Sequence, residues 1–248
     1  MFTQVSSTSG ATGITLVSVN GNADLGAGAI TGSTGAEVDV TGGNGTITYS
    51  GTVTNTAGRT VSIINRTGGT FTLAGQVTDT TGSGTGVLAN NNGAGTVAFT
   101  GGLTLSTGAN PALTATNGGT VVVTGTNNTL TTTTGTALTV TSATIGGAGL
   151  TFKSISSNGA ASGIVLNNIG GSGGLTVAGT GTPASGGTIQ ASTGDGVVLT
   201  STSNVSLSWM DVKTSKNDGI NGTLVTNLSL NGMRIQNNTD ALVEAGCC

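Results

Sequence analysis

The chain has 248 residues, of which 46 are glycine and 2% aromatic, with six Lys or Arg against nine Asp or Glu and no histidine. Side chains this small exclude a wide globular core, and a net charge of −3 supplies neither a basic field for phosphates nor, with so few aromatics, a stacking platform for bases. Without histidine there is no Ser-His-Asp triad and no Cys/His zinc site, and no apolar run reaches the ~18 residues of a membrane span. Neither a nucleic-acid partner nor membrane insertion is expected.

In chain order, one apolar triplet returns throughout. It is Ile14-Thr15-Leu16, then Val38-Asp39-Val40, Val61-Ser62-Ile63, Val87-Leu88-Ala89, Leu113-Thr114-Ala115, Leu138-Thr139-Val140, Ile164-Val165-Leu166, Val197-Val198-Leu199 and Ile220-Asn221-Gly222. The starts advance by 24, 23, 26, 26, 25, 26, 33 and 23 residues, and Leu242 adds a step of 22. A repeat of this size is one supersecondary unit stacked on copies of itself. A second alternating pair follows each triplet, as at Ile47/Tyr49, Phe71/Leu73, Val97/Phe99, Val121/Val123, Leu175/Val177, Val205/Leu207 and Leu228/Leu230. A third short strand is predicted at Val53, Val77, Leu103, Leu130, Val212 and Ile235.

Two residues beyond the triplet stand Asn65, Asn91, Asn117, Ser142, Asn168 and Ser201. Stacked coils place like residues on like, so this column is predicted to be an inward-turning polar ladder, its amides satisfying one another in the interior. The fold class predicted is all-β, a parallel solenoid of about nine to ten three-strand coils of 22–33 residues over 1–248, a single domain. The most irregular coil is 164–197, with a loop expected around Gly179 to Gly194 and Pro183. Right-handedness follows from the crossover rule for parallel strands.

With that ladder and period the chain resembles the right-handed parallel β-helix proteins, the superfold of pectate lyases, polygalacturonases, tailspikes and many bacterial surface proteins. The resemblance covers about residues 12–245 and is similar in character to adhesin and autotransporter-passenger stalks. It implies an extracellular or cell-surface location and a non-catalytic stalk or adhesive segment cut from a longer solenoid, with a host glycan or surface receptor as the partner. The alternatives are a carbohydrate-binding or carbohydrate-cleaving β-helix, a subunit that self-associates end to end into a filament, and an ice-binding solenoid.

Eight of the fifteen charged residues fall in the last 54, so any polar site is expected there. Asp195, Asp218 and Asp240 each precede a Gly or Ala and the next triplet, which stacks three carboxylates on one turn. Asn217-Asp218-Gly219-Ile220 is similar to the Asp-Gly turns of the polygalacturonases, but the His-containing and Arg-x-Lys elements of that pattern are missing. No catalysis is expected, and no cofactor beyond a weak calcium site at Asp195 and Asp218. Trp209 is either a sugar-stacking platform or a corner residue. Asp211 and Arg234, on successive coils, read as a surface ion pair. Thr46, Thr70, Thr96, Thr120 and Thr144 form one outward column, whose neighbour begins as Thr48 and Thr72 and continues as Ala98 and Val122. Cys247 and Cys248 are adjacent and cannot staple the fold.

Overall fold

The computed structural model describes residues 2–239, and among them every regular element is a β-strand. Asp240, Leu242, Cys247 and Cys248 lie outside the described residues. The triplet pattern sets the architecture. Ile14 pairs with Val38, Val38 with Val61, Val61 with Val87 and Val87 with Leu113. The ladder continues through Leu138, Ile164, Val197 and Ile220, all in parallel register. Inward residues of this first strand and of the second and third meet in one hydrophobic cluster running from Ile14 to Val225. The chain is a parallel β-solenoid whose third-strand sheet has ten rungs.

The first and second strands are less separate than the period suggests. In several coils they run through as one long element, such as Thr85–Phe99, Leu113–Val123 and Val197–Ser208, and they join a single 14-stranded sheet. The bend between them is made by one residue in the left-handed region. Ser18, Asn65, Asn91, Asn117, Ser142, Asn168, Ser201 and Leu224 have φ between 46° and 59°, with Gly42 at 70° in the same column. Asn recurs here because its short polar side chain tolerates this backbone better than most others do, and Ser takes the same place in three coils. The ladder column is therefore corrected in its placement: all six predicted residues are exposed, not turned inward.

The third strand drifts. Val77 pairs with Leu103, but Leu105, two residues on, pairs with Leu130, and beyond Leu130 and Ile155 it is Ser157 that pairs with Ile189. The inward slot is thus handed on by two residues twice along the rod. Two insertions interrupt the coils. Val121 pairs with Ile145 but Val123 with Leu150, a bulge of the second strand, so the pair in that coil is Leu150/Phe152. The longest coil closes its loop earlier than expected, because Thr188–Gln190 is already its third strand; a turn at 183–186 is pinned by Ser185, whose Oγ accepts from Thr180 N at 2.8 Å and donates to Thr182 O at 2.6 Å.

Candidate functional site

The residue just before each first strand fills a narrow inward slot at the third corner: Gly13, Gly86, Ala112, Ala137, Gly163, Gly196 and Gly219. A Cβ on Gly196 would sit 2.6 Å from Gly219 O and 2.8 Å from Val212 Cγ1, which explains the Asp-Gly pairs as packing. Asp195 and Asp218 do fall on neighbouring coils, both half-buried. Asp195 accepts from Asp218 N at 3.1 Å and from Asn221 Nδ2 at 3.1 Å, and Asp218 O accepts from Gly196 N at 2.9 Å. One carboxylate here organises the backbone of the next coil. Among the described residues no group of three or more His, Cys, Asp or Glu is gathered in metal-binding geometry.

Trp209 occupies the second corner, between the second and third strands, with φ 58°. Its register neighbours are Gly179 and Gly232, both also left-handed. A Cβ on Gly232 would meet the six-membered ring of Trp209 at 2.5 to 2.8 Å, so the indole lies over a glycine of the following coil and stays partly exposed.

Two residues on, a lattice of charged side chains covers the third face. The Asp211 side chain is 1% exposed and accepts from Arg234 Nη2 at 2.9 Å, Lys213 Nζ at 3.0 Å and Gln236 Nε2 at 3.3 Å. Burial pushes the Asp211 carboxyl up, but the hydrogen bonds and charges of Arg234 and Lys213 outweigh it and leave it below the ordinary carboxylate range. The Asp211–Arg234 pair read from the sequence is present, and only its placement changes: the carboxylate is buried, roofed over by Arg234, Lys213 and Gln236.

Other buried polar groups escaped the sequence reading. Glu37 and Thr60 fill slots that are Gly or Ala in most other coils, and Glu37 accepts from Ser33 N at 3.0 Å and Ser33 Oγ at 2.7 Å. Asp79 is closed by Asn55, Thr60 and Thr81. Arg66, next to Asn65, is 1% exposed and donates to the carbonyls of Gly42, Gly45 and Gly68; burial lowers its pKa. Asn92, next to Asn91, is the interior amide, accepting from Arg66 N at 3.1 Å and donating to Ile63 O at 2.9 Å. Only the odd residue in each small-residue column, Glu37 among the glycines, was a visible signal.

On the outer surface the threonine column of the second face holds its register from Thr70 to Thr144. A longer one stands on the third face, where Thr8, Thr31, Thr54, Thr78, Thr104, Thr129 and Ser154 pair in succession. Comparisons with protein-family models, with curated proteins and with solved structures each return no match.

Proposed function

We propose that this chain serves as a rigid, non-catalytic β-helix segment, a stalk or adhesive spacer of an extracellular bacterial surface protein. What carries the reading is the unbroken first-strand ladder from Ile14 to Ile220, with one hydrophobic cluster behind it. Each coil there is held by its neighbours alone, so stiffness accumulates with length. The carboxylates with the fullest contact sets, Asp79, Asp195 and Asp211, hold donors of their own chain. Incubation with pectin, alginate and host-type glycans, with and without calcium, is expected to release no reducing ends or unsaturated products, and limited proteolysis to spare residues 14–230. Product release abolished by Asp195→Asn or Asp211→Asn would overturn the proposal in favour of a carbohydrate-cleaving β-helix.

A second reading draws on the third-face hydroxyl column. Its rungs repeat at the ~4.8 Å strand spacing, and Thr54/Thr56, Thr78/Thr80, Thr104/Ser106, Thr129/Thr131 and Ser154/Ser156 each place a second hydroxyl two residues on. Ice binding on this face would appear as thermal hysteresis that Thr78→Lys with Thr104→Lys abolishes, and its absence in the unmodified chain ends this reading.

A further inference from the structure

Along the second corner the coils leave a cavity of about 420 Å³, whose lining includes Thr124, Thr126, Asn127, Thr151, Lys153 and Thr180. The corner is continuous in backbone terms: Lys153 N donates to Asn128 O at 2.8 Å and Gly179 N to Lys153 O at 3.0 Å, and the coil beyond carries Trp209. Lys153 is exposed and forms no salt bridge among the described residues. Past the indole, Lys213 and Arg234 are 31% and 50% exposed around one buried carboxylate between them, that of Asp211. A chain of net charge −3 thus carries three of its six cations on one corner and the face beside it.

We infer that this corner binds an anionic saccharide, with its acidic group on Lys153, its hydroxyls among the cavity's threonines and Asn127, and a ring face against Trp209. The ligand class follows from the lining and from the indole of Trp209 one coil beyond it. Hydroxyls and amides match a polyol, the cavity volume falls in the small-ligand range, an amphipathic ring such as Trp209 takes the C–H face of a sugar, and an exposed ammonium in no salt bridge among the described residues selects a negative group. Successive rungs at ~4.8 Å offer one polar step per pyranose-sized unit, so an oligomer lies along the rod axis. This places glycan recognition away from Asp195 and Asp218, on a surface of opposite charge. It goes beyond the stalk proposal and does not depend on it.

Trp209 is the chain's single tryptophan, so its fluorescence reports on this corner directly. The chain is titrated with hyaluronan tetrasaccharide, which carries carboxylates, with chondroitin sulfate tetrasaccharide, which adds sulfates, and with neutral cellotetraose and an oligothymidylate tetramer. Fluorescence and calorimetry are both read. At least one acidic tetrasaccharide is expected to bind saturably, with cellotetraose and the Lys153→Gln variant weaker by about tenfold or more. Asp195→Asn should leave the affinity unchanged, and comparing the two acidic ligands tells carboxylate from sulfate selection. No heat and no fluorescence change with either acidic ligand up to about 10 mM, affinity indifferent to Lys153→Gln in a variant of unaltered circular dichroism, or equal affinity for the oligothymidylate would each overturn the inference.

Discussion

The left-handed bend residue is the clearest case of one position doing one job. Because Asn117 is exposed and its Nδ2 reaches Asn90 Oδ1 at 2.9 Å, its value lies in its backbone more than in an interior amide stack. Asn117→Gly is expected to change stability by less than about 0.5 kcal/mol and Asn117→Val to cost about 2 kcal/mol, measured by urea denaturation. Leu224 breaks the pattern at the last coil, with φ 54° and 70% exposure. Leu224→Asn should stabilise by about 1 kcal/mol. The true interior amide is Asn92, and Asn92→Ala should cost about 1–3 kcal/mol by stranding Arg66 N and Ile63 O. Asp211 sets a pH dependence. Its folded carboxyl titrates below the unfolded value of about 3.9, so its contribution is complete above that value and disappears as pH falls through the folded one. Urea midpoints of Asp211→Asn and the unmodified chain should differ at pH 7 and converge as pH falls through the lowered folded pKa of Asp211, below which both side chains are neutral.

At the level of the strand, what was legible and what was not divide along physical lines. The first strand was readable to the residue, since Val, Leu and Ile recurring coil after coil leave one register that turns the first residue of every triplet into the core. The polar ladder was readable as a column but not in its direction, because recurring Asn suits both an interior amide stack and a left-handed bend; only the φ angles separate them. The third strand was misleading where Leu103 and Leu130 look equivalent and are not, since Leu105 intervenes as the true partner. Among site residues, Asp195 and Asp218 were correctly neighbours, whereas nothing in sequence tells that Asp211 is roofed by Lys213 and Arg234, because that depends on how far two long side chains fold over. The small-residue slot makes its own prediction: Gly196→Ala pushes a methyl against Gly219 O and Val212 and should cost about 1–3 kcal/mol, read as a lowered midpoint with unchanged urea slope.

Ten rungs at ~4.8 Å give a rod about 45 Å long, a dimension small-angle scattering measures directly. Its last described coil is the least covered. Ile220–Asn231 pairs only with Val197–Ser208 among the described residues, and Leu230 and Ile235 are 39% and 37% exposed where their counterparts Leu207 and Val212 are fully buried. At the other end Phe2 and Val17 are 58% and 66% exposed. Strand edges unpaired among the described residues, over apolar rungs, favour stacking of a second copy. Light scattering of a Cys247→Ser, Cys248→Ser variant should show mass rising with concentration, and Leu230→Lys with Ile235→Lys should abolish the rise. A constant monomer mass across the micromolar range would refute end-to-end association.

The two-residue drift of the third strand bears on how such a chain can change length over generations. Were every coil alike, recombination between repeats could add or drop one anywhere. The coil holding both Leu103 and Leu105 instead works as an adapter: it meets Val77 with one leucine and Leu130 with the other. Excising it sets the inward valines of the preceding coils beside neighbours two residues out of step, whereas duplicating a coil between Ile30 and Val77, where the partners Ile30, Val53 and Val77 share one slot, leaves every inward side chain facing its like. Heritable growth is therefore permitted in one half of the rod and constrained at the adapter, giving the coils an order as well as a number.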